Sequence, residues 1–321
     1  IKNQNMNNYL SKSKIFYWTL FDFANTAFSV MIVTFGYPLF YKMVVSQNSE
    51  ASDFYWGLTV SISMLITAII SPVLGAGADH SQSRKKLLFL FTITSILATS
   101  LLYFIESGMI FFGALLFIIA NIGFEGGIVF YDSFLPDITP KKNFGRVSGY
   151  GFAMGYLGAL AILLINMGLL SGGINNENIN NIHLSFVITA IFFFVFSIPI
   201  FLVIHEKSES RKMGFVFYFN SGIKRVKNTF INLKNYKNVA KFLLAFFLYN
   251  DGILTVISFA SIIAVKSFNF SVQELVYFFL SVQSAAIVGS TIFGIISDKI
   301  GSKKTIIITL LLWILVVSFS Y

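Results

Sequence analysis

Three carboxylates stand inside long apolar runs of this sequence: Asp22, Glu125 and Asp251. A charge at bilayer depth costs roughly 2.5–3.5 kcal/mol on insertion scales, so each is a candidate for handling a solute or a proton. A fourth acid, Asp132, sits at the end of the run that holds Glu125. Helical spacing gives each acid polar company on its own face. Asp22 shares a face with Asn25, Thr26 and Ser29; Asn121, Glu125 and Asp132 share a second; Asp251, beside Asn250, shares a third with Thr255 and Ser258. No Lys or Arg lies deep in any of these runs. A path for anions would want a buried cation, whereas an acidic cavity suits protons or an amino-bearing or cationic solute. The expected roles are that Asp22 and Asn25 hold the polar head of a substrate and that Glu125 or Asp251 loads and releases a proton. The alternative is structural: the same acids would bond across helices to Asn, Tyr or Ser and fix packing.

The elements that must position these groups are membrane helices. The chain of 321 residues is 56% hydrophobic and 17% aromatic, with 12% charged, where a soluble domain carries about 25% charged residues. Eight runs meet the roughly 20 apolar residues that a spanning helix needs: 16–45, 55–78, 87–105, 109–130, 147–170, 183–204, 239–265 and 272–296. A ninth begins at 305 and is still apolar at 321. Of 23 Lys and Arg, only Lys42 and Lys266 fall on one side of this topology and the other 21 on the opposite side. Cytoplasmic loops are the basic ones, so the N-terminus is expected inside a bacterial inner (plasma) membrane, in a multi-pass protein. The net charge of +9 comes in short clusters between apolar runs, which argues against nucleic acid. Cysteine is absent and His80, His183 and His205 lie apart, so no metal site or cofactor is expected. The glycine-rich stretches lack the lysine of a phosphate loop. No constellation for catalysis appears, so an enzyme is not expected; a lipid-acting membrane enzyme or a channel ranks below a carrier.

An internal repeat organises the runs. Gly75-Ala76-Gly77-Ala78-Asp79 follows the second run, with Arg84, Lys85 and Lys86 after it; Gly294-Ile295-Ile296-Ser297-Asp298 closes the eighth, with Lys303 and Lys304 after it. In both, Gly precedes Asp by the same interval and the basic pair comes after Asp at the same interval. Two parallel six-helix halves are thereby implied, related by an axis along the membrane normal. Asp132 and Arg146 are further expected inner-gate residues, with Asp132 a gate or a structural partner of Arg146 or the loop lysines. Gly151, Gly155 and Gly158 form a small-residue face for close packing, whose partners would be Gly289 and Gly294 if the fifth span packs against the eighth; Pro38 and Pro72 should kink their runs.

The paired loops resemble the cytoplasmic signature of the major facilitator superfamily. The segments Phe21-Asp22-Phe23-Ala24-Asn25, Phe130-Tyr131-Asp132-Ser133, Gly151 to Gly158 and Tyr249-Asn250-Asp251-Gly252 are similar to the vacuole amino-acid effluxer-like (autophagy-related permease) family, in its bacterial-type form. The resemblance implies an all-α fold of two six-helix bundles, with the first, fourth, seventh and tenth spans lining a central cavity. It implies twelve spans, so this chain is expected to stop partway through its second half. The expected division is a cytoplasmic N-terminus (1–14), a first bundle (15–204), a basic linker with a surface helix (205–238) and an incomplete second bundle (239–321). The implied function is a proton-coupled secondary permease for a small solute such as an amino acid, monomeric in the lipid bilayer. Export of cationic or amphiphilic compounds is the alternative. Two positions depart from the family pattern: His80, where Arg or Lys is usual, and Asp132, where Asn is.

Overall fold

The computed structural model describes the backbone of residues 2–81, 83–204, 220, 222–224, 226–228, 231 and 237–319, and their side chains except at 2–11, 76–81, 258, 316, 317 and 319. Among these residues every regular element is helical. In chain order they are α1 (Lys2–Phe28), α2 (Gly36–Phe40), α3 (Ser52–Ser81), α4 (Arg84–Leu101), α5 (Ile110–Asp132), α6 (Leu135–Ile138), α7 (Phe144–Leu170), α8 (Ile179–Val203), α9 (Lys237–Phe268), α10 (Val272–Ile300) and α11 (Ser302–Phe319). Eight helical stretches are long and apolar enough to cross a membrane, one for each of the eight expected runs. The surface helix expected over 205–238 lies largely outside the described residues.

The first span is jointed. α1 passes into a π-helical stretch, Ser29–Thr34, and restarts as α2. Pro38 explains the joint: it has no N–H to offer the preceding turn, and its ring crowds the carbonyl four residues back. Phe35 bonds instead to the carbonyl of Val30 at 2.8 Å. The other expected kink does not interrupt its helix, since Pro72 lies inside the unbroken α3.

This first span is the centre of the bundle. Its most apolar window is 83% buried, against 0% for the window that begins α9. α7 and α8 pack along it, while α3, α4 and α5 pack on one another beside it. At the start of α2, Tyr37 donates to the Gly113 carbonyl at 2.8 Å and stacks flat on Phe117, with Trp56 tilted against it and Phe186 edge-on. α9 rests on α2 and the π-helical stretch, and α10 lies along α7.

Contacts between helix ends sort the molecule into two faces. Arg84 opens α4 and meets Asp137 beyond α5, and Arg146 opens α7 and meets Asp298 at the end of α10. These mark the basic face. On the far face Gln47 bonds Ser107, and His183, opening α8, bonds the Ile105 carbonyl at 2.8 Å.

Candidate functional site

Glycine sets how closely the spans carrying the acids approach. Gly151, Gly155 and Gly158 are the close-packing row expected of them, but the conditional pairing of this row with the eighth span is not what the structure has. All three face α1: a Cβ at Gly151 would meet Asp22 and Trp18, one at Gly155 would meet Thr26, and one at Gly158 would meet the Phe23 backbone. The eighth span is met by the opposite face of α7. A Cβ built on Gly149 would lie 2.6 Å from the Ser290 carbonyl oxygen and 3.1 Å from Gly294 Cα. Of the expected partners, Gly294 is in this seam and Gly289 has open space around it. α7 therefore carries two glycine rows, one for α1 and one for α10. Sequence spacing revealed the first row but not which neighbour it served.

Asp22 is half-buried where α1, α5 and α7 meet. Tyr131 Oη donates to its Oδ2 at 2.5 Å and also lies 3.1 Å from the Trp18 carbonyl oxygen. The tyrosine ring is stacked on Trp18, with centroids 4.5 Å apart, and on Phe21, and the Trp18 indole N–H donates to the Tyr131 carbonyl at 3.2 Å. This is the cross-helix bonding of the structural alternative. Asn25 is buried within the same span. Asn121 is fully buried, and its amide donates to Ser63 Oγ on α3 at 2.8 Å. Glu125, one turn further, is half-buried, and Asp132 is exposed at the end of α5.

Asp251 has different surroundings. It is exposed on a cleft of about 660 Å³ between α3 and α9. The α3 wall holds Gly57, Val60, Ser61, Met64 and Ala68. Phe246, Phe247, Phe259 and Leu254 surround Asn250, Asp251 and Thr255 on the other wall. Concave, mostly apolar and with a few converging polar groups, this is the usual form of a small-molecule site. The six expected substrate and coupling residues are thus not gathered in one cavity. Asn250 and Asp251 line the cleft, whereas Asp22, Asn25 and Asn121 are packed in the first bundle. Among the described residues no hydrogen bond or ion pair joins Asp22, Glu125 and Asp251.

The second copy of the repeat is engaged. Asp298, with its side chain 6% exposed, accepts from the backbone N–H of Gly145 at 2.8 Å and of Arg146 at 3.1 Å, and from Arg146 Nε at 3.1 Å. These N–H groups belong to the first turn of α7, where a helix has unsatisfied donors and favours negative charge. Of the partners expected for Asp132, Arg146 is taken elsewhere: it pairs with Asp298. In the first copy, Gly75 faces Val129 of α5, while the side chain of Asp79 lies outside the described residues. Arg84 leaves its own loop: it donates to the Ser133 carbonyl at 2.8 Å, pairs with Asp137 at 2.7 Å and lies 5.0 Å over the Phe134 ring. Lys85 is half-buried, and Lys303 and Lys304 are exposed on the basic face. Tyr131, Asp137 and Asp53 were not singled out from the sequence. Tyr131 stands beside Asp132 and is visible there as a polar group at a span end, but pairing across helices needs the fold.

The sequence profile described as vacuole effluxer Atg22 like matches residues 54–321. The MFS-type transporter YxiO of Bacillus subtilis is 30% identical over 315 residues, which cover 95% of this chain and 72% of that protein. Autophagy-related protein 22-1 of Penicillium rubens is 24% identical over 354 residues, covering 88% of this chain and 59% of its own. Among solved structures, the xylose transporter XylE from E. coli, in a partially occluded inward-open conformation, aligns with 90% of this chain and 70% of its own at 15% identity and a TM-score of 0.46.

Proposed function

Since the chain belongs to the vacuole effluxer Atg22 like family and is similar to a Bacillus protein described as an uncharacterized MFS-type transporter, we propose that it moves a small solute across the membrane by alternating access of two helical halves. It is a transporter and not an enzyme. The observation that carries the mechanism is the cleft between α3 and α9. It lies between the first six spans and the seventh, and it presents one carboxylate, Asp251, beside three phenylalanines of α9 and opposite an apolar wall of α3.

In this reading Asp251 and Asn250 hold the polar head of the solute, and Phe246, Phe247 and Phe259 cover its apolar part. An amino acid fits both walls, as the family resemblance suggests. The mostly apolar lining, with three phenylalanines around a carboxylate, also supports an apolar cation as a second substrate class. Asp251 and Glu125 are the acids left for proton coupling, because Asp22 is already engaged by Tyr131. The basic face is cytoplasmic, by the excess of Lys and Arg there. Asp298 on the first turn of α7 closes that face by joining the two halves.

The test is uptake by the full-length protein in proteoliposomes with an imposed proton gradient, using neutral and basic amino acids. Saturable counterflow separates a carrier from a channel. Asp251→Asn is expected to reduce uptake about 10- to 100-fold, the equivalent of one lost charged hydrogen bond. Wild-type uptake in Asp251→Asn would remove the assigned site. A pH profile unchanged in both Asp251→Asn and Glu125→Gln would remove the coupling role.

A further inference from the structure

Of the Lys and Arg among the described residues, Lys42 and Lys266 stand on the far face, and both reach the same carboxylate. Lys42 Nζ lies 2.6 Å from Asp53 Oδ1, and Lys266 Nζ lies 3.1 Å from Asp53 Oδ2. Each oxygen thus serves one ammonium group. Lys42 comes just after α2, Asp53 opens α3 and Lys266 lies in the last turn of α9, so the triad ties the first two spans to the seventh.

None of the three stands on an unsupported loop. Between Lys42 and Asp53 the chain turns through a serine network: Ser46 Oγ donates to Ser52 Oγ at 2.8 Å, and Ser52 N–H to the Ser49 carbonyl at 3.0 Å. Asp53 then falls in the first turn of α3, where a helix favours an anion, and Lys266 in the last turn of α9, where a helix favours a cation. α9 stops at Asn269, whose φ of 55° is left-handed; its N–H bonds the Val265 carbonyl at 3.1 Å and that of Phe270 the Ala264 carbonyl at 3.3 Å. This is a common helix-ending device. Ser271 and Glu274 start α10 with a reciprocal capping box.

The triad also stands over one end of the cleft. Gly57, Val60 and Ser61 descend α3 from Asp53, and Phe259 and Thr255 descend α9 from Lys266, all lining the cleft. Just inside the triad the two helices touch: a Cβ on Gly57 would lie 3.7 Å from Phe259 Cζ.

We propose that Lys42, Asp53 and Lys266 form an ionic closure on the far face, in which release of Lys266 from Asp53 opens the cleft to that side. Lys42 holds Asp53 within the first bundle, and Lys266 is the arm contributed by the second half. These are positioning residues for the transport cycle, and the inference rests on the carrier reading above.

These 321 residues contain no cysteine, and any cysteine elsewhere in the full-length carrier is replaced by serine, so that a single reporter can be read without background. In the full-length carrier Ser61→Cys places a thiol in the cleft wall, and a membrane-impermeant maleimide is applied from the far face. Lys266→Gln is expected to raise the labelling rate about two- to fivefold, the range for loss of one exposed ion pair. The lysine side chain is 68% exposed, so this substitution does not threaten folding. Lys42→Gln, which leaves the Asp53–Lys266 pair in place, is expected to raise the rate less. Exchanging the charges, Asp53→Lys with Lys266→Asp, rebuilds a set of two lysines and one aspartate and is expected to restore the parent rate. An unchanged rate in Lys266→Gln, or an exchange variant no slower than Lys266→Gln, would overturn the closure. Labelling reports access and not uptake, so lost transport with the expected labelling pattern would count against the substrate assignment alone.

Discussion

At Gly158 a side chain would run into the backbone carbonyl of Phe23, which cannot move aside as a flexible side chain does. Gly158→Ala is therefore expected to cost about 1–3 kcal/mol, the usual range for overpacking, read as a lower unfolding temperature in detergent. Gly252 has nothing within 4 Å of its would-be Cβ, so Gly252→Ala is expected to be neutral or to gain up to about 1 kcal/mol from helix propensity. At Asp22 the relevant neighbour is a hydroxyl. Tyr131→Phe keeps the stacking on Trp18 and Phe21 but removes the donor to the carboxylate, for an expected loss of about 1–3 kcal/mol. Adding Asp22→Asn to that background should cost less than Asp22→Asn alone, and additive losses would show that the bond contributes nothing. The acids themselves were legible in the sequence because a charge in an apolar run is conspicuous. Their surroundings were not, because helical spacing tells which residues share a face and not which neighbour that face meets.

Among the elements, all eight expected spans are present, since length and hydropathy are properties of one segment at a time. What escaped was relational. Gly151, Gly155 and Gly158 were legible as a packing row, yet that row serves α1, and Gly149 with Gly145 serves α10. Arg146 was legible as a gate residue, yet it pairs with an acid 152 positions away in the chain. The repeat could be matched by interval, but intervals do not reveal that Asp298 would cap the first turn of a helix from the other half. Its two backbone bonds imply an order of severity at that seam. Asp298→Ala removes every bond described there and is expected to loosen it by about 0.5–2 kcal/mol, the range for a lost helix cap. Arg146→Ala removes only the bond from a side chain that is 45% exposed, which is worth about 0.2–1 kcal/mol. Labelling of a cysteine at Ser290 from the basic face would rank the two variants, and equal effects would exclude the capping role.

For the whole molecule, the two bridged ends differ in how they meet solvent. On the basic face the carboxylate of Asp298 is almost sealed, with its side chain 6% exposed, and most of what it accepts comes from backbone. On the far face Lys266 extends with its side chain 68% exposed. Mobile ions weaken attraction between exposed charges and barely touch an enclosed one; the Debye length falls from about 10 Å at 0.1 M to about 3 Å at 1 M. Raising the salinity should therefore release one mouth of the protein and leave the other shut. A carrier built this way would open more readily to the far side when that side is salty, without any change in its cargo, and would ignore salt on the other side.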